Sequence, residues 1–107
     1  MLNSLVITAG APGQLYECPA GKLAVVSVNL CNRSGARAKV GIGLKAGGDA
    51  VAAADWIEFD TPINPAGSVD GSVLERTGVV LKAGDRLWVS SDVAGVNAHV
   101  WGMVEDV

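Results

Sequence analysis

Apolar residues recur at every second position over most of the chain. In Ala36–Lys45 the even positions Ala36, Ala38, Val40, Ile42 and Leu44 are apolar, while the odd ones are Arg37, Lys39, Gly41, Gly43 and Lys45. Successive side chains of a strand point to opposite faces, so this pattern predicts a strand with one buried face. The preceding stretch, Lys22–Asn32, sets Ala24, Val26, Val28 and Leu30 on one face. Its other face begins apolar with Leu23 and Val25 and turns polar at Ser27 and Asn29. Between the two lies Asn32-Arg33-Ser34-Gly35, a turn cluster in which Gly35 is free to take positive φ. The two strands are expected to pair as an antiparallel hairpin.

The same alternation continues toward the C-terminus. Val79–Leu81 and Arg86–Ser90 flank Lys82-Ala83-Gly84-Asp85, a turn with glycine at its late position. Val96–Val104 sets Val96, Ala98, Val100, Gly102 and Val104 against Asn97, His99, Trp101 and Met103, so its second face is amphipathic. Weaker strands are predicted at Leu2–Thr8, Gln14–Cys18, Ala54–Phe59 and Ser72–Arg76, with Pro- and Gly-containing turns between them. Asp49–Asp55, rich in alanine but short and flanked by glycine, reads as a loop rather than a helical turn, because helix nucleation is costly. The sum is eight to nine short antiparallel strands in one all-β domain, residues 1–107, a single jelly-roll-like β-sandwich. Residues 1–13 are read as an extended N-terminal arm.

Composition narrows the picture further. Half of the 107 residues are hydrophobic, yet there are only three Trp, one Tyr and one Phe, so the core is expected to be aliphatic. Eight basic and eleven acidic residues are interspersed along the chain, which leaves no electrostatic footprint for nucleic acid or an anionic membrane. No apolar run approaches a membrane span and the first residues lack a basic leader, which predicts folding in the cytosol. Cys18 and Cys31 lie thirteen positions apart, which is no metal-ligand spacing. They read as two small buried or half-buried thiols, and a bond between them would require neighbouring strands.

Candidate chemistry is sparse. The single histidine, His99, sits mid-strand with no sequence sign of a nucleophile or orienting group, so no enzyme activity, metal or cofactor is expected. Gly41-Ile42-Gly43 lies inside a strand and not before a helix, so it is no phosphate cradle; it marks a close approach of another backbone or a bend. Asp55, Trp56 and Glu58 form the one constellation suited to a sugar, with Trp56 and Glu58 expected on one face, and they define a carbohydrate-binding alternative. Trp88 and Trp101 stand opposite the aliphatic stripes of their strands. Together with Leu5, Val6, Ile7, His99 and Met103 they are the expected interface residues.

Several ordered segments resemble small virion proteins of tailed bacteriophages. Leu15–Lys22 is similar to their short strand, Pro-Ala-Gly, long strand opening, and Val28-Asn29-Leu30-Cys31-Asn32-Arg33 to their V-N-[IL]-x-N-R ending. Ala54–Thr61 resembles their A-D-[WY]-I-E-x-D segment, and Val73–Gly78 reads V-L-E-R-T-G, followed by Leu81–Asp85. The closing V-x-V-x-G-x-x-E pattern is met by Ala98–Glu105, with Ala98 in place of the first valine. The resemblance implies a non-enzymatic structural protein of the virion that oligomerises, as a homotrimer, on a larger symmetric surface. Capsid decoration (cement) and tail or fibre attachment are both compatible with it. The partners it implies are the chain itself and a major capsid or other virion protein. It transfers no catalytic residue.

Overall fold

The computed structural model describes residues 1–107, which form eight strands. These are β1 (Asn3–Val6), β2 (Gly13–Glu17), β3 (Lys22–Asn32), β4 (Ala38–Ala46), β5 (Trp56–Ile63), β6 (Val73–Lys82), β7 (Asp85–Ser91) and β8 (Val96–Asp106). They divide into two antiparallel sheets, sheet I in the order β1-β8-β3-β6 and sheet II in the order β2-β7-β4-β5. That pair of orders is a jelly roll, two Greek keys wrapped face to face. The even residues of β3, β4 and β8 and the odd residues of β7 point between the sheets. There they join one cluster of 18 buried residues made only of Ile, Leu, Val, Ala and Cys. The aliphatic core expected from composition is therefore present, and every aromatic ring lies outside it.

The expected hairpin between Lys22–Asn32 and Ala36–Lys45 does not form. β3 pairs with β6 and β8, and β4 pairs with β5 and β7, so the two strands face each other across the core. Alternation is the same whether two strands lie side by side or face to face. What decides here is the crossover. Asn32, 1% exposed, accepts from Ser34 N (2.9 Å) and Ser34 Oγ (2.7 Å). Its Nδ2 donates to the carbonyls of Ala36 (2.8 Å), Asn64 (3.1 Å) and Ile63 (3.3 Å). A buried amide so fully satisfied fixes a bend that carries the chain from sheet I to sheet II. Gly35 is not among the positive-φ residues, so the side chain of Asn32, not a glycine, makes the turn. β6 and β7 likewise sit in different sheets, joined through Gly84 at φ +85 as the turn chemistry predicted. Among chain neighbours only β4 and β5 are paired.

Three further readings are corrected. Ser72–Arg76 and Val79–Leu81 are one strand, β6; a bulge between the pairs Val26–Val79 and Val28–Arg76, with Gly78 at φ +69, breaks the alternation without ending the strand. Residues 3–6, inside the strand expected over Leu2–Thr8, form β1 on β8 rather than an extended arm, prolonged by Leu2 N to Val100 O (2.8 Å) and Ile7 N to Val96 O (2.9 Å). Asp49–Asp55 is a loop closed by a single 3-10 turn, Ala53–Asp55, where the Asp55 carboxylate accepts from Ala52 N at 2.7 Å.

Candidate functional site

The two outer faces differ in what covers them. On sheet II, Gly41 and Gly43 leave a trough in which the Trp56 ring lies. A Cβ at Gly41 would sit 2.8 Å from that ring and 2.6 Å from Ser90 Oγ; one at Gly43 would meet Val51 at 2.7 Å. The close approach predicted at these glycines is real, but it is made by a side chain of the same molecule. Lys45 pairs with Asp55 (3.4 Å), Arg86 lies 3.2 Å from Glu17 and donates to Gly48 O (3.2 Å), and so the 47–55 loop is tied down over the face. Trp88, half-buried on the same face, stands between Gln14 and Gly43 in register.

These contacts absorb the constellation expected to meet a sugar. Asp55 is held by Lys45 and the 3-10 turn. An irregularity between the pairs Ile42–Glu58 and Gly43–Trp56 leaves Ile57 unpaired, so Trp56 and Glu58 do not share a face. Glu58 instead crosses the open edge of the sandwich to Arg76 of β6 (2.6 Å) and accepts from Thr61 Oγ1 (2.8 Å). Trp56 does border a shallow depression of about 220 Å³ with Lys39, Asp60, Ser90 and Asp92. Asp60 is the only non-glycine with positive φ (+50); it sits with Phe59 opposite Gly41 in a second bulge.

Sheet I has no such cover. Its outward residues fall in rows across β6, β3 and β8, because the register places them side by side. Val80, Val25 and Met103 form one row; they are 55%, 45% and 66% exposed. The next row toward the end of β3 is the Thr77–Gly78 bulge, Ser27 and Trp101, the last 36% exposed. Beyond it come Glu75, Asn29 and His99, continued by Ser4 on β1, and then Val73, Cys31 and Asn97, continued by Val6. On the other side of the apolar row lie Lys82, Leu23 and Glu105. Three large apolar side chains beside an indole thus form one contiguous exposed row.

Of the expected interface residues, Val6, His99, Trp101 and Met103 meet on this face. Ile7, at 2% exposed, belongs to the core, and Leu5 packs partly against the core. Trp88 is on the opposite side of the molecule. The sequence reading missed Val80, whose place beside Val25 depends on pairing across 55 residues of chain; the apolar start of the second face of β3 was the available signal. His99 lies level with Ser4 and Asn29. No three of His, Cys, Asp and Glu converge on one point. A second depression of about 250 Å³ follows the β1–β8 seam past Ser4, Val6 and His99. Both depressions are smaller than the roughly 300–1,000 Å³ of a typical small-molecule site.

The thiols are both free, and they sit apart. Cys18 is buried in the core beneath the Gly84 turn, whereas Cys31 lies half-exposed on the outer face of sheet I. Burial pushes the Cys18 thiol above its ordinary pKa, and the Asp85 carboxylate adds to this; a backbone hydrogen bond at Ala24 works the other way. Tyr16 is raised too, first by burial and then by Cys18. Neither group is poised as a nucleophile. No helix is long and apolar enough to cross a membrane. Comparison with models of protein families, with characterised proteins and with solved structures found no match.

Proposed function

We propose that this chain is a non-enzymatic structural protein of a bacteriophage virion, a capsid decoration subunit that stabilises the particle through β-sandwich contacts with itself and with a coat protein. The exposed row Val80–Val25–Met103, flanked by Trp101, carries the reading. A protein whose work is assembly needs a rigid fold and a surface that loses water on contact, and this face supplies the second. The segments that resemble phage virion proteins give the kind of particle. Attachment at the tail or a fibre is a variant of the same reading, and the threefold assembly implied by the resemblance is one of its stoichiometries. Mass spectrometry of purified particles, with negative-stain images of particles assembled with and without the chain, tests it. The chain is expected in stoichiometric amount, and its removal is expected to make particles lose contents on mild heating. Its absence from particles would end the proposal.

The depression beside Trp56 supports a second reading, a carbohydrate-binding module. An indole rim with Lys39, Asp60 and Asp92 offers a stacking surface and polar groups for sugar hydroxyls. A glycan array run on the wild type and on Asp60→Asn, which removes the carboxylate and keeps a residue that tolerates positive φ, decides it. Binding that is lost in the variant supports this reading, and an empty array retires it.

A further inference from the structure

Three of the five levels of sheet I are unlike on its two sides and matched end for end. Lys82 on β6 is level with Glu105 on β8, a cation opposite an anion across Leu23. The Thr77–Gly78 bulge on β6, with open space above Gly78, is level with Trp101 on β8, a large ring across Ser27. Glu75 on β6 is level with His99 on β8, an acceptor opposite a donor across Asn29. β6 and β8 both run antiparallel to β3, so the outer face looks the same in strand direction from either side.

From this arrangement we infer that the occupant of the face is a second copy of the chain, packed sheet to sheet about a twofold axis that runs along β3. Such an axis keeps each level in place and exchanges its two ends. Lys82 of one copy then stands over Glu105 of the other, and Glu75 over His99. Trp101 enters the space left by the Gly78 bulge, and Val80 meets Met103 above a central Val25–Val25 contact. Every one of these pairs except the axial Val25–Val25 contact occurs twice, as an isologous interface demands. An unrelated partner would place no such constraint on how one side of the sheet answers the other. Sheets stacked in this way cross at about 30°, so the outer levels swing apart slightly, and at one of them the long side chains of Lys82 and Glu105 span the extra distance.

The contact is modest. Three strands about 4.8 Å apart over five levels about 6.8 Å apart cover a footprint of roughly 500 Å² per copy, below the usual 800 Å². A reversible dimer in the micromolar range is the expected consequence. The pairing rests on the reading of this face as buried in an assembly, but its test needs no particle.

Sedimentation equilibrium of the full chain across the micromolar range is expected to fit a monomer–dimer scheme. Lys82→Glu and Glu105→Lys should each weaken association about tenfold or more, since each sets like charges against each other twice. The double variant Lys82→Glu with Glu105→Lys should regain most of it. Lys82 and Glu105 are both exposed, so an unchanged unfolding midpoint shows that the variants fold. Cys31 lies on the axis, and stacked sheets are about 10 Å apart, so a bismaleimide of similar reach should link two copies, and Cys31→Ser should abolish the link. A chain that stays monomeric, forms trimers, or is not rescued by the charge swap overturns the pairing. A chain that dimerises as described yet is absent from particles overturns the virion proposal alone.

Discussion

The outer faces of sheets I and II are built from the same kind of strand and end in opposite conditions. Sheet II spends two glycines, Gly41 and Gly43, to seat an indole from its own edge strand, and then ties a loop over the result with Lys45–Asp55 and Arg86. Sheet I has Val25, Val80 and Met103 at comparable positions and nothing above them. The lesson concerns what an apolar residue on an outer face means. Where the chain supplies its own cover, the residue belongs to the fold. Where it does not, the residue is left open for the contact between chains proposed above.

Four measurements break or sharpen this contrast. Trp56→Ala should cost about 2–3 kcal/mol in chemical denaturation, since it empties the trough over two glycines; the ring is half-buried, hence a figure below that of a core tryptophan. Filling the trough from beneath should cost somewhat less: Gly41→Ala places a methyl against the Trp56 ring and Ser90, about 1–3 kcal/mol by overpacking. If either variant leaves the unfolding midpoint unchanged, the cover over sheet II is not structural. Removing the inter-sheet ion pair with Arg76→Ala should cost about 1 kcal/mol or less, because the guanidinium remains partly in water. Smallest of all, Val80→Ser on sheet I should change the stability of the monomer by no more than about 0.5 kcal/mol. Its association constant should fall. A large loss of monomer stability there would make the face part of the fold and erase the contrast.

The thiols repeat the comparison chemically. Under native conditions one thiol, Cys31, should react with a disulfide reagent, and Cys18 should react only on unfolding. Because the folded state holds the Cys18 proton more tightly than the unfolded state does, its contribution to stability is complete below the ordinary thiol pKa. That contribution is lost as pH rises through the higher folded value. Stability should therefore be flat near neutrality and decline above about pH 9, with Tyr16 extending the decline in the same direction. Cys18→Ala should flatten the first part of that slope. A wild type whose midpoint rises with pH in this range would contradict the burial of Cys18.

Much of the strand content was legible because one cause, burial of alternate side chains, acts locally and leaves a period of two. Where that period held, in Lys22–Asn32, Ala36–Lys45 and Val96–Val104, the strands lie where expected within a residue or two. It failed at bulges. Gly78 made β6 look like two strands, and the extra residue at Ile57 put Trp56 and Glu58 on different sides. An inserted residue changes the phase of the pattern without ending the hydrogen-bond ladder, and a pattern read along the chain does not separate the two events. The candidate site was half legible. Trp101 and Met103 stand on an apolar second face of their own strand, which periodicity shows. Val80 became part of the site only through its partner Val25.

The sequence by itself determined the class of the protein: alternating aliphatic strands around a core without aromatic rings, and turn residues at most of the crossings. The tertiary structure decided which strands became neighbours. It placed β3 opposite β4 rather than beside it, moved Ile7 into the core and covered Trp56 while leaving Trp101 bare. The reason is physical. The face a side chain takes is set by its own backbone and the phase of its strand. What covers that face is set by residues tens of positions away, brought there by crossovers such as the one Asn32 holds.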